Sequence, residues 1–156
     1  MIVATVGEQG KRFLVIGAGF SGSLLSAILA RHGKQVTLID RDEHPRFVIG
    51  ESSTPAAGLI LRTLVKRYGL SELAPLTRYG RWVNELASVR RGAKRGFSYF
   101  FHQADSDFRV TESHQNELLV TASSSLELAD TQWLRSDVDH FLCDYARQQG
   151  VVLRDL

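Results

Sequence analysis

The chain is poor in cysteine, proline and methionine and carries no strong charge of either sign. Cys143 is its only cysteine, which excludes a disulfide framework and any CxxC-type metal site. His102, His114 and His140 have no partners at ligand spacing, so no metal centre is expected. No uninterrupted apolar run reaches the ~20 residues that a membrane-spanning helix needs. A reduced, cytoplasmic setting with no membrane partner fits that pattern best. The formal charge of +2 is spread along the sequence apart from a cluster at Arg90, Arg91, Lys94 and Arg95. That cluster lacks the interleaved motifs of nucleic-acid readers, so no nucleic acid is expected as a partner. Residues 1–10 show no period and read as a loose N-terminal leader. Lys11 and Arg12 before the apolar stretch 13–30 loosely mimic a secretory signal, but glycines and serines interrupt it.

What is present is concentrated near the beginning. Arg12 to Ile16 is short and apolar enough for a buried parallel strand. Gly17, Ala18, Gly19, Phe20, Ser21 and Gly22 follow it as a glycine-rich turn. Leu24, Leu25, Ile28 and Leu29 then fall on one helical face, and Gly33 supplies a left-handed stop. Val36 to Asp40 reads as a second strand ending on a carboxylate. Each glycine has a task in a dinucleotide-binding unit: Gly17 for the tight turn, Gly19 for close approach of a diphosphate, Gly22 for close packing of helix on sheet. Phosphates would sit on the unpaired N–H groups at the helix N-terminus, where the dipole is positive. Asp40 lies 23 residues after Gly17, near the spacing at which an acid accepts from ribose hydroxyls. The bland alternative is a coincidental glycine-rich turn.

Val48 to Pro55 forms a second stretch of interest, with the helix-forming residues Leu59, Leu61, Leu64, Val65 and Tyr68 behind it and Gly69 to end them. Pro55 suits a first helical turn, and Ser53 or Thr54 can cap it. On local grounds this is a well-capped helix. Near the end, Ser136 and Asp139 have capping-box spacing. Val138, Phe141, Leu142, Tyr145 and Ala146 make an apolar face, Gly150 closes the helix, and Val151 to Leu153 begins another strand. A parallel strand needs neighbours on both sides, so the sequence reads as the front part of a larger enzyme.

The runs GAGFSG, LIDR and GESSTP resemble the N-terminal region of flavin-dependent halogenases of the tryptophan-halogenase type, within the wider class of FAD-dependent monooxygenases. Gly92 to His102 is similar to family members carrying a lysine before a glycine-aromatic strand. The pattern from Arg135 through Asp139, Leu142, Ala146 and Gly150 is similar to a helix-to-strand segment of such flavoproteins. The expected fold is therefore α/β: a truncated, Rossmann-like, glutathione-reductase-like FAD-binding domain with a parallel sheet, plus part of a substrate-domain insertion. Expected bounds are 11–74 for the FAD-binding βαβ unit and strap helix, 75–130 for the insertion, and 131–156 for the return helix and strand.

The resemblance implies FAD, with its diphosphate on the turn Gly17–Gly22 and its ribose on Asp40, beside which stands Arg41. It implies a strap in which Gly50, Ser52, Ser53 and Thr54 border the flavin ring. It further implies an aromatic small-molecule substrate, halide, O2 and a separate flavin reductase. A buried lysine would hold or carry the halogen as hypohalous acid or a haloamine, and Lys94 is the candidate; its bland reading is a solvated member of the Arg90–Arg95 cluster. The family's Trp-x-Trp-x-Ile-Pro motif is missing, with Trp82 and Trp133 isolated, but its family position lies beyond residue 156. An FAD-dependent hydroxylase, an isoprenoid-type reductase, a nicotinamide-binding domain and a truncated, non-catalytic nucleotide-binding remnant remain as alternatives.

Overall fold

The computed structural model describes residues 2–7, 10–121 and 123–155, with side chains described between 11 and 154. These residues divide into two compact units. The first comprises 1–51, 88–90 and 133–156, and the second 52–87 and 91–132.

The first unit is built on strands β1 (Ile2–Gly7), β2 (Gly10–Ile16), β3 (Gln35–Asp40) and β8 (Val152–Asp155), with helices α1 (Phe20–Arg31) and α4 (Arg135–Gln148). Their sheet has the order β1-β2-β3-β8. β2, β3 and β8 run parallel, in a register that sets Val15 beside Leu38 and Leu38 beside Leu153. The expectation of a loose leader over 1–10 is corrected here: β1 pairs antiparallel with β2 from Ile2 opposite Val15 to Gly7 opposite Gly10. A residue set rich in valine and isoleucine is well suited to an edge strand, whatever its lack of strict alternation.

The core of this unit follows the sequence periodicity. Helices α1 and α4 pack together, and Leu24 and Ala27 of α1 and Val138, Leu142 and Ala146 of α4 are all buried. Val36 and Leu38 present the β3 face beneath them. Gly33 and Gly150 take positive φ just past the helix ends, as a left-handed stop requires. The capping box expected from Ser136 and Asp139 does not form. α4 begins at Arg135 with Leu134 as N-cap and no side-chain cap, and Asp139 is instead ion-paired with Arg135.

The second unit holds α2 (Pro55–Tyr68), a 3-10 turn over Ser71–Thr77, α3 (Tyr79–Glu85), β4 (Arg91–Lys94), β5 (Gly96–Phe100), β6 (Glu117–Thr121) and most of β7 (Asp130–Trp133). Thr54 caps α2 by accepting from the Ala57 N–H at 3.3 Å, Pro55 occupies the first turn, and Gly69 closes the helix at φ +64°. Leu61, Leu70, Leu73, Leu76 and Trp82 form the core. β4 pairs with β7, and β5 pairs antiparallel with β6. The strap helix, grouped from sequence with the glycine turn, therefore belongs with the residues of the expected insertion, and the division falls at Glu51–Ser52 rather than near 75.

Candidate functional site

In the first unit the chain leaves β2 through Gly17, whose φ of +101° is open to glycine and strained for other residues. The Gly17 N–H donates to Ile39 O at 2.8 Å, tying the turn to the end of β3. The next peptide is gripped on both sides. Ala18 N–H donates to Asp40 Oδ2 at 2.6 Å, while Ala18 O accepts from Ser23 Oγ at 3.1 Å and from Cys143 Sγ at 3.2 Å. Gly22 sits against the turn so closely that a Cβ there would lie 1.8 Å from Gly17 O. Gly19 differs: a Cβ would meet nothing nearer than 3.6 Å, so packing within the protein does not demand glycine at this position.

Gly19 is also the N-cap of α1 and supplies no capping side chain. The first-turn N–H groups of a helix have no partner within it. In front of them lies a cavity of about 560 Å³ lined by Gly17, Gly19, Phe20, Ser21, Gly22, Trp133 and Arg135, among others. The Phe20 and Trp133 rings form one side, with centroids 4.7 Å apart. Open backbone, a helix N-terminus and a cationic wall make a site that accepts an anion close to the main chain.

Asp40 stands at the mouth of the turn, nearly buried. Its Oδ2 accepts from Ala18 N–H and from Arg46 Nη2 at 3.1 Å, and its Oδ1 accepts from Asp42 N–H at 3.3 Å. A carboxylate offers about four lone-pair positions, so one on Oδ1 is left for a hydroxyl. Burial by itself would raise the Asp40 pKa, but the Ala18 and Asp42 N–H groups and the Arg46 guanidinium outweigh it and hold the carboxyl below its usual range. Arg41 is placed elsewhere: its side chain is exposed and pairs with Asp42 at 3.2 Å.

Sequence reasoning missed the frame behind this mouth. Arg135 binds Asp139 through two contacts, of 3.1 and 2.9 Å, with Asp139 fully buried. Its Nη1 donates to Ile49 O at 3.1 Å and Gly50 O at 3.4 Å. Gly50 has φ +99°, and a Cβ there would lie 3.1 Å from that Nη1. The i,i+4 spacing of Arg135 and Asp139 was the available signal, since such residues share a helix face. His44 has both ring nitrogens buried without a hydrogen bond, and burial with the nearby Arg46 holds its pKa low. Burial likewise pushes the Cys143 thiol up.

The remaining expected site residues lie in the second unit. Lys94 ends β4 and is buried, with Nζ donating to Ser52 Oγ and, at 2.7 Å, to Ser53 O. The same Nζ stands 3.8 Å from the centre of the Phe97 ring. Lys94 is thus not a solvated member of the basic cluster. Ser53 Oγ donates to Thr131 O at 2.6 Å and accepts from Thr131 N–H at 3.2 Å, which fixes the strap to β7. Thr54 is occupied as the α2 cap. The structure therefore brings Ser52, Ser53 and Lys94 together, and separately Gly17, Ala18, Gly19, Phe20, Ser21, Gly22 and Asp40. Among the described residues no cluster of side chains has metal-ligand geometry, and no helix is long and apolar enough to cross a membrane.

Comparison with known proteins adds a family context. The profile of a family described as FAD dependent oxidoreductase matches residues 12–151. Tetracycline 7-halogenase of Kitasatospora aureofaciens is 29% identical over 144 residues, covering 92% of this chain and 25% of the relative. Monodechloroaminopyrrolnitrin halogenase PrnC of Pseudomonas fluorescens is 33% identical over 137 residues, covering 88% of this chain and 23% of the relative. Among solved structures, halogenase PltM in complex with phloroglucinol and FAD is 31% identical with a TM-score of 0.75, covering 91% of this chain and 27% of that one. The chain spans about a quarter of the length of the curated relatives it matches.

Proposed function

Since this chain belongs to the FAD-dependent oxidoreductase family, we propose that it is the FAD-binding portion of a flavin-dependent halogenase acting on an electron-rich aromatic substrate. The observation that carries the reading is Gly19: glycine at a cavity wall, at an uncapped helix N-terminus, where protein packing does not ask for it. A diphosphate reaching the backbone does ask for it. The halogenase assignment is supported by curated relatives that are named halogenases and by the burial of Lys94 against the strap.

FAD, when bound, supplies the redox chemistry with O2. The chain's own residues do the rest. The backbone of Gly17 to Gly22 binds the diphosphate, with the α1 dipole and Arg135 offsetting its charge. Asp40 orients the ribose through the free position on Oδ1, while its other contacts keep the carboxylate from turning. Gly50, Ser52, Ser53 and Thr54 border the flavin by resemblance to the family strap. Lys94 Nζ donates a hydrogen bond to the halogen species and steers it to the aromatic ring, and its burial restricts access of water to that point. Halide, O2 and a separate flavin reductase complete the reaction. The single cysteine, kept as a thiol beneath Ala18, supports a cytoplasmic setting.

The test is made on the whole protein with a flavin reductase, FAD, O2 and bromide or chloride. Halide-dependent product is expected, and Lys94→Ala should abolish it while leaving FAD bound. Halogenation that survives this change would remove Lys94 from the mechanism. Failure of the purified protein to take up FAD would remove the reading as a whole.

A further inference from the structure

A ribose presents two neighbouring hydroxyls, and a carboxylate with both oxygens open can accept from each of them. Asp40 does not have both open. Its Oδ2 accepts from Ala18 N–H at 2.6 Å and from Arg46 Nη2 at 3.1 Å, which fills the two lone-pair positions of that oxygen. On Oδ1 one position remains beside the contact with Asp42 N–H at 3.3 Å. The two donors on Oδ2 differ in kind. Ala18 N–H is main chain, and its peptide is held at the other end by Ser23 and Cys143. Arg46 is a side chain that reaches back six residues to the end of β3, so its contact can be removed without cutting the turn. The same Arg46 Nη2 lies 3.7 Å from the place a Cβ on Gly19 would take, which sets the guanidinium beside the glycine turn as well as beside Asp40. A guanidinium holds donors and no acceptor, so a hydroxyl that meets it cannot donate to it.

We propose that Arg46 is a specificity-determining residue of the ribose site: by occupying Oδ2 it limits Asp40 to accepting from one of the two ribose hydroxyls. The other hydroxyl donates to no atom of Asp40. A hydrogen bond to an ionised acceptor is among the strong ones, so the two hydroxyls become unequal, one firmly held and the other dispensable. Without Arg46 the carboxylate would grip both. The inference rests on the assignment of a nucleotide to the glycine turn made above, and it concerns how that nucleotide's sugar is read.

The test measures binding of ADP and of its 2′-deoxy and 3′-deoxy analogues to the full chain by titration calorimetry. In wild type one analogue should bind about tenfold more weakly than ADP, the loss expected for a hydrogen bond to a charged group, and the other within about twofold of ADP. Equal losses for the two analogues, or no loss for either, would overturn the proposal. Arg46→Met keeps an apolar stem and frees Oδ2. In that variant the analogue that wild type tolerated should also fall by about tenfold relative to ADP. A variant that still tolerates it would show that Arg46 does not exclude the second hydroxyl, and the proposal would fall. Should Arg46→Met fail to fold, the wild-type comparison of the two analogues decides alone. Failure of both ADP and FAD to bind removes the nucleotide reading and the proposal with it, whereas ADP binding with the two analogues alike removes the proposal and leaves that reading in place.

Discussion

In the first unit, buried polar side chains hold backbone groups and leave the peptide N–H groups of α1 facing open space. Asp40, Ser23 and Cys143 fix the Ala18 peptide, and Arg135 with Asp139 braces the loop at Ile49 and Gly50. In the second unit the buried ammonium of Lys94 is held by the Ser52 hydroxyl and the Ser53 carbonyl, and Ser53 Oγ bonds both backbone groups of Thr131. The apolar surfaces differ too. Leu24, Val36, Leu38 and Leu142 are buried in the first unit, whereas Tyr99, Phe100, Phe101, Leu118 and Leu119 on and beside the β5–β6 pair are exposed. One unit leaves backbone N–H groups open at a cavity and the other holds an ammonium buried. The proposed function assigns the diphosphate to the first and the halogen species to the second.

The contrast is broken most severely at Asp139. Asp139→Ala leaves the Arg135 guanidinium without its buried partner and should cost about 4 kcal/mol, read from denaturant unfolding. A loss near zero would show that the pair does not brace the first unit. Gly22→Ala comes next, at about 3 kcal/mol, because its Cβ has no room against Gly17 O and α1 must move off the sheet. FAD uptake should fall with it, and full uptake at full stability would refute the close packing described.

Asp40→Asn should cost about 2 kcal/mol near neutral pH, since it replaces a charged acceptor of the Ala18 N–H and the Arg46 guanidinium. Its sign with pH is fixed by the depressed Asp40 carboxyl. The stabilisation is whole above the unfolded value of about pH 4 and disappears as pH falls through the lower folded value. An acid titration of stability should therefore show the wild type and the variant converging at low pH. Curves that stay parallel would contradict the ion pair. Thr54→Ala is the smallest change, about 1 kcal/mol from a lost helix cap, and sharpens the comparison by acting in the second unit alone. A loss near zero in denaturant unfolding would show that the Thr54 hydroxyl does not cap α2.

Legibility followed sequence distance. The strand, turn, helix and strand over 12–40 were readable because each depends on neighbours: period, glycine position and a terminal acid. The strap and Lys94 were reached by resemblance alone; the charge cluster around Lys94 suggested exposure, and the structure buries it. Ser23, Arg46, Cys143 and the Arg135–Asp139 pair were not read as parts of the site, because their partners lie far away in sequence or their spacing permitted another use. Asp139 illustrates the second case, since three residues after Ser136 it suits a capping box, yet four residues after Arg135 it makes a buried ion pair instead. β1 was missed because a short edge strand gains its order from pairing with β2, not from its own period.

The doubly held Ala18 peptide has a kinetic consequence. Its plane cannot rotate without surrendering a carboxylate contact on one end and two donors on the other, so under the proposed function the bend has its binding shape before any nucleotide arrives. Association then needs no ordering of the main chain, and the entropy that a floppy loop would forfeit is already settled by folding. Variants that free either end of this plane should reveal themselves first as slower capture of the cofactor, ahead of any change in how tightly the captured molecule is finally held.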